Sequence, residues 1–416
     1  MIETLIIADD LTGSADTGVK FAQNCPVKLV GLDKSAFPLN SATLTINTET
    51  RNEAPERILE ILARIKPALG GQRPKLIYKK IDSCLRGFVG LEIAYMLKAF
   101  DLSCALVAPA YPEFGRVTFR GIHMVGGRPV HTTESSHDPL RPVLDSRLKR
   151  IIGLDNDLPV ETLEIDTIRR GPEAIGERLE YLLAKTERFL LACDGETDHD
   201  LEALARGAAP FSDKILFSGS AGLAGALSEL LSDQMHSWLE EQFHPPSPQP
   251  PILFLGGSAS RTLHRQFGVL AQEHHGDLVT LDLRSLFEGR GQTIPALSPG
   301  RPLILTLPMP SPNPEIMARF PSQQIIEKFG LLAADLIKNR QYQTIFVSGG
   351  DTARETLRAL EPGDLWIRSE ICPGLVFLSA GRLSILTKSG GFGPPDLLSN
   401  LYRNLLSEEW DPKRHR

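Results

Sequence analysis

The sequence predicts an α/β protein of two domains, each a mostly parallel sheet flanked by helices, and three observations carry this. Short apolar runs, among them 5–8, 76–80 and 344–347, recur between segments of helical spacing; that alternation builds βα units and parallel sheets. A chain of 416 residues exceeds one ordinary core. The run His244-Pro245-Pro246-Ser247-Pro248-Gln249-Pro250-Pro251 breaks the rhythm once, and proline, with φ fixed and no N–H, suits a semi-rigid linker. The expected division is a domain over 1–240, a linker over 241–251 and a second domain over 252–416.

In chain order, the strand at 5–8 opens into Asp9-Asp10-Leu11-Thr12-Gly13-Ser14 and a helix over 15–23. Strands at 27–32 and 43–48, a helix at 55–65 and a strand at 76–80 follow. The loop Ile81-Asp82-Ser83-Cys84-Leu85-Arg86-Gly87 leads to an amphipathic helix at 89–100 and a strand at 104–108. From about 108 to 142 the pattern breaks at Pro109, Pro112, Gly115, Gly121, Gly126 and Gly127. With β-compatible pieces at 117–119 and 122–125, this is a β-rich excursion that covers a site or carries a homodimer contact. The rhythm resumes with strands at 162–165, 189–192 and 214–217, helices at 173–184 and 200–205, and Ser218-Gly219-Ser220-Ala221-Gly222 opening a helix to 231.

Beyond the linker, the strand at 252–255 meets Gly256-Gly257-Ser258, and a helix presents Leu263, Phe267 and Leu270 on one face. Strands at 278–283 and 303–307 precede a helix at 323–338. A strand at 344–347 then enters Ser348-Gly349-Gly350-Asp351-Thr352 and a helix at 352–360, with Asp351 suited to cap it and Glu355 adding charge to its first turn. Lys388-Ser389-Gly390-Gly391-Phe392-Gly393 and a helix at 396–405 close the chain. No internal repeat is evident.

Composition narrows the function. With 42% hydrophobic and 23% charged residues the chain is a globular protein, and a net charge of −6 argues against a nucleic-acid surface. No apolar run reaches membrane-span length and the N-terminus has no basic leader, so no membrane partner is expected and a cytoplasmic location is. Five scattered cysteines without C-x-x-C spacing suit reduced thiols, not a disulfide framework or a zinc site.

Three glycine turns in the second domain, at Gly256, Gly349 and Gly390, either satisfy local geometry or cradle phosphate at helix starts; none is a Walker A or G-x-G-x-x-G sequence. Lys388 could neutralise phosphate or simply be solvated. In the first domain Asp9 and Asp10 could take a proton, hold magnesium through water, or cap the next helix. Asp82, Ser83 and Arg86, flanked by Lys79 and Lys80, form a second polar cluster, and Arg51 is a third candidate to hold a small anion. His123, His131 and His137 match no compact metal motif. Cys84 has no histidine nearby to activate it, and Ser258 and Ser220 do not form a G-x-S-x-G elbow.

Ile7-Ala8-Asp9-Asp10-Leu11-Thr12-Gly13, Lys79-Lys80-Ile81-Asp82-Ser83-Cys84-Leu85-Arg86-Gly87, Ala108-Pro109-Ala110-Tyr111-Pro112, Gly349-Gly350-Asp351-Thr352-Ala353 and Lys388-Ser389-Gly390-Gly391-Phe392-Gly393 together resemble the four-carbon acid sugar kinases, nearly end to end. The resemblance implies an N-terminal domain for the sugar acid, a C-terminal domain for ATP, and Mg²⁺-assisted transfer of the γ-phosphoryl group to the terminal hydroxyl of the acid. Asn47-Thr48-Glu49-Thr50-Arg51 and the 81–87 loop look like the threonate/erythronate branch, not the 3-oxo-tetronate branch. Carried over, Asp10, Arg51, Asp82, Ser83, Cys84, Leu85 and Arg86 would contact the sugar acid. Asp10 is the expected catalytic carboxylate, with Asp9 and Asp82 as rivals. Ser258, Gly349, Gly350, Asp351, Thr352, Lys388, Gly390, Gly391 and Gly393 would contact ATP, and the metal ligands stay open. Cys84 and Phe88 stand where the family usually has Thr and commonly Asn, which leaves the particular acid open. A non-catalytic sensor or a sugar-phosphate-processing enzyme remain alternatives.

Overall fold

Asp9, Asp10, Arg51 and Asp82 lie far apart in sequence, and a parallel sheet brings their strand ends to one edge. The computed structural model describes every residue except 1, 33–36, 38–40, 139–140, 236–247, 259, 297–299, 310–319 and 407–416. Most of the expected linker, 241–247, lies outside the described residues. The chain forms two units, Met1–Gln242 and Phe243–Arg416.

In the first unit the main strands are β1 (Thr4–Ala8), β2 (Val27–Gly31), β3 (Thr43–Asn47), β4 (Leu76–Lys80) and β5 (Cys104–Ala108). The excursion contributes β6 (Arg116–Phe119), β7 (Ile122–Val125) and β8 (Arg128–Pro129), and β9 (Val160–Leu163), β10 (Phe189–Cys193) and β11 (Ile215–Gly219) complete the main sheet. Its order is β2-β3-β1-β4-β11-β5-β10-β9, with every pair parallel. β1, β3, β4, β5, β10 and β11 are buried along their whole length, as parallel strands covered on both faces must be. That is why they read as unbroken apolar runs. From β1 the chain winds to β2 and β3 on one side and to β4 on the other. The crossovers diverge there, leaving a crevice at the carboxyl ends of β1, β3 and β4, where open α/β sheets bind ligands.

The excursion is a small antiparallel sheet of order β6-β7-β8. Gly121, at φ +74°, turns β6 into β7. Bridges from Thr118 to Gly195 and from Ile122 to Arg147 fasten this sheet to the rest of the unit.

The second unit contains β12 (Ile252–Gly256), β13 (Asp277–Thr280), β14 (Leu303–Thr306), β15 (Thr344–Ser348), β16 (Leu365–Cys372), β17 (Leu375–Ala380) and β18 (Leu383–Lys388). β13-β14-β12-β15-β18 run parallel, and β17 and β16 extend the sheet antiparallel from β18. Two details depart from the sequence expectations. The strand expected over 278–283 ends at Thr280, because Asp282 accepts from the Ser285 amide and caps a short helix, Leu283–Phe287. β16, β17 and β18 were not expected. Short turns at Gly374 and Gly381 join β16, β17 and β18 directly, leaving no helix for a parallel crossover. The strand order β13-β14-β12-β15 repeats the winding of β2-β3-β1-β4, a topological repeat with no evident counterpart in sequence. Phe254, Phe267, Phe346 and Tyr402 pack with aliphatic neighbours to form this unit's core.

Candidate active site

Asp9 and Asp10 follow β1 directly, and Asp10 caps the helix Leu11–Ala22 by accepting from the Gly13 amide at 2.9 Å. Thr12 Oγ1 also donates to Asp10. Of the roles weighed for Asp10, the helix cap is the one seen here, and its carboxylate stays at the carboxyl end of β1. Arg51, beyond β3, donates to both carboxylates. Its Nε and Nη2 reach Asp9 at 2.7 and 2.8 Å, and its Nη1 and Nη2 reach Asp10 at 2.6 and 3.0 Å. Asp82, beyond β4, lies 3.9 Å from Arg51 and accepts a fork from Arg86 Nε and Nη2 at 2.8 and 2.9 Å. The Cys84 and Arg86 amides also donate to Asp82, which folds the 82–86 loop around its carboxylate. Leu85 is buried at φ +63° and Glu49 sits at φ +56°. For residues with a β-carbon this is sparsely populated backbone, of the kind concentrated at ligand sites.

The charges are coupled. Burial pushes the Asp9 carboxyl up, but Arg51, Lys79 and Lys80 outweigh it and hold the pKa below the ordinary value. Burial likewise opposes ionisation of Asp82, and Arg86 and Arg51 together hold it well below the carboxylate range. Burial also disfavours charge on Arg51, yet Asp10, Asp9 and Asp82 raise its pKa well above the usual value. Asp9, Asp10 and Arg51 thus form one ion-pair cluster. Its side chains are 5%, 14% and 15% exposed, against 9% for Asp82, so Asp10 is the most accessible of the three acids. Arg51 is the departure from the sequence expectation: four hydrogen bonds to Asp9 and Asp10 occupy the guanidinium expected to hold the substrate. Arg86 keeps Nη1 outside its fork and is 38% exposed, so it is the arginine still able to take a carboxylate.

In the second unit three turns pack against one another. A β-carbon on Gly257 would fall 1.8 Å from Thr352 Oγ1, and one on Gly390 would fall 2.4 Å from Ser258 Oγ. Gly349, at φ +104°, approaches the Ser258 amide, and Ser260 Oγ donates to the Gly390 carbonyl at 2.8 Å. Ser258, Gly349, Gly350, Thr352 and Gly390 are therefore brought together at the carboxyl ends of β12, β15 and β18. Gly391 has open space around it, and Gly393 at φ +86° closes on Leu397, a packing role.

Two expectations change here. The helix begins at Gly350 with Gly349 as its cap residue and no side-chain cap, so Asp351 lies inside the first turn. Glu355 sits beyond that turn, buried, and accepts from Arg354 Nε. Lys388 is buried, with Nζ donating to the carbonyls of Ser389, Gly390 and Phe392. Burial pushes its pKa down to about 7, while the three carbonyls suit the ammonium form. It shapes the 389–392 turn from within.

A family model described as a sugar-binding N-terminal domain matches residues 4–227, and one described as a nucleotide-binding C-terminal domain matches residues 253–398. The chain belongs to the four-carbon acid sugar kinase family. A Salmonella typhimurium relative named D-threonate kinase is 29% identical, over 95% of this chain and 97% of its own length. A Cupriavidus necator relative named 3-oxo-tetronate kinase is 27% identical over 96% of each chain. A Salmonella typhimurium LT2 protein of known crystal structure shares the fold, with a TM-score of 0.79 at 21% identity over 97% of this chain and 99% of that one.

Among the buried neighbours of this cluster, Lys79 and Lys80 were named from sequence only as flanking residues, and Glu92 not at all. Lys80 is buried with Nζ donating to the Ile81 carbonyl, close to Gly13. Lys79 pairs at 3.0 Å with buried Glu92, whose Oε2 also accepts from Thr50 in the segment that carries Arg51. A pair of lysines ending a buried strand was the available signal, since solvation alone does not place a charge there. Among the described residues no group of three or more His, Cys, Asp or Glu could hold a metal, and no helix is long and apolar enough to cross a membrane.

Proposed function

We propose that this chain is an ATP-dependent kinase that phosphorylates the terminal O4 hydroxyl of a four-carbon sugar acid, D-threonate or D-erythronate. The single observation that carries this reading is the cluster of Asp10, Asp9, Arg51, Asp82 and Arg86 at the strand ends of a unit matching a sugar-binding model. The packed glycine turns of a unit matching a nucleotide-binding model supply the second ligand's site. The relative named D-threonate kinase supports the acid class.

Arg86 Nη1 takes the acid's carboxylate, with the 82–86 loop setting its orientation. Asp10 accepts the O4 proton as the oxygen bonds to the γ-phosphorus, and the phosphorus–oxygen bond to ADP breaks. Phosphoryl transfer needs position and charge neutralisation more than a strong base, so a carboxylate already paired with Arg51 is sufficient. Ser258, the amides of Gly349 and Gly350, and the Gly390 turn cradle the phosphates. Asp351, 41% exposed in the first helical turn and 3.5 Å from Arg354, is the carboxylate that would hold a largely hydrated Mg²⁺, which would supply charge neutralisation at the phosphates. A cytoplasmic location belongs to the same proposal and is supported by five cysteines that form no disulfide. A homodimer through the excursion also belongs to it and is checked by sedimentation velocity.

Measuring ADP release with ATP, Mg²⁺ and a panel of tetronic acids tests the reading. Release with D-threonate or D-erythronate supports it. Ligand-induced stabilisation without ADP from any acid would replace it with a sensor.

A further inference from the structure

We propose that His123 of the excursion is a positioning residue for sugar-acid binding, holding the 82–86 loop in shape through the carbonyl of Ser83. This rests on the kinase reading above and gives the excursion a part in acid binding beside the dimer contact proposed there.

His123 lies on β7 and has no exposed surface. Its Nε2 stands 2.8 Å from the Ser83 carbonyl oxygen, and its Nδ1 stands 2.9 Å from Thr118 Oγ1 across the β6–β7 pair. A carbonyl can only accept, so Nε2 carries the proton, and Nδ1 accepts from the threonine hydroxyl. The ring is therefore a neutral bridge, and burial, which pushes its pKa down to about 4, keeps it so.

The bridge is rigidly mounted. The Thr118 amide donates to the Gly195 carbonyl, the Gly195 amide donates back to Thr118, and the His123 amide donates to Ser146. Gly121 at the β6–β7 turn donates to Asp194. A second contact fixes the far end of the loop: the guanidinium carbon of Arg141 stands 3.7 Å from the centre of the Phe88 ring. Between these supports the loop carries Leu85 at φ +63° and the Asp82–Arg86 fork. Strained backbone persists only where its surroundings over-determine it. Asp82 holds the loop from inside, and the Ser83 carbonyl has the histidine as its outside partner.

Two variants separate the two ring nitrogens. In His123→Gln the amide nitrogen reaches the Nε2 position and can still donate to Ser83. In His123→Asn the side chain stops near Nδ1 and loses Ser83 while it can still meet Thr118. Removing one hydrogen bond that orients a binding loop is expected to raise the KM for the sugar acid by roughly tenfold in His123→Asn. The KM for ATP should stay within about twofold, and His123→Gln should recover most of the lost affinity. Hydrogen exchange at the Cys84, Leu85 and Arg86 amides should rise in the asparagine variant and fall back in the glutamine variant.

The proposal is overturned if folded His123→Asn keeps the wild-type KM for the acid. It is overturned equally if both KM values move together, or if glutamine and asparagine behave alike. An inactive wild-type enzyme would instead overturn the kinase reading, so the two failures are distinct.

Discussion

Asp10 caps a helix and pairs with Arg51 through one carboxylate, and the proposed mechanism gives that same carboxylate the O4 proton. Its oxygens accept from the Gly13 amide, the Thr12 hydroxyl and two nitrogens of Arg51, yet it is the most open acid of its cluster. Asp10→Asn preserves the shape and the cap but removes the charge and the proton acceptor. The expected result is a fall in kcat of about a hundredfold or more, with the KM for ATP little changed; wild-type turnover would transfer the role to Asp9 or Asp82. Arg51 is expected to act first on stability. Arg51→Met leaves Asp9 and Asp10 facing each other without their cation, and removing one partner of a buried ion cluster costs roughly 3–5 kcal/mol. Urea denaturation of the variant against wild type measures this.

At the scale of the element, the strand–turn–helix units place the chemistry. β12 and β15 both run into glycine turns, at Gly257 because Thr352 comes too close for a side chain and at Gly349 because φ is +104°. Gly257→Ala drives a methyl into Thr352, and Gly349→Ala adds strain at φ +104°, of order 1–3 kcal/mol. Both should weaken nucleotide binding, read by calorimetry, while sugar-acid binding to the same variants holds. If both ligands weakened together, the damage would be global. The β16–β17 hairpin extends the same sheet without contributing any of the expected site residues.

Across the whole molecule, the paired carboxylates set a pH dependence. Asp9 and Asp82 titrate lower in the fold than in the unfolded chain, where an aspartate lies near about 3.9. Above that value the folded state gains the full benefit of the pairs. The benefit is lost as pH falls through the unfolded value toward the lower folded ones, because the unfolded chain then binds more protons. Unfolding free energy measured between neutral pH and the acid range should drop steeply in wild type. The drop should be shallower in Arg51→Met, which lacks the main cation at Asp9.

The sequence by itself determined the α/β class, most strands of both units, the glycine turns and the identity of the acids, because each depends on a few consecutive residues. A buried parallel strand needs an unbroken apolar run, and a tight turn needs glycine at positive φ. Tertiary structure decided which charges meet. Arg51 reaches Asp9 and Asp10 because β3 lies beside β1, a neighbour relation some 40 residues apart that no local pattern encodes. It also turned Lys388 inward onto carbonyls and joined β16 to β18 through short turns without crossover helices. And it set His123, a histidine without a metal-like spacing, against the loop that carries Asp82 and Arg86. Local residue types select the groups available to the site, and the packing of distant segments selects what each group is free to do.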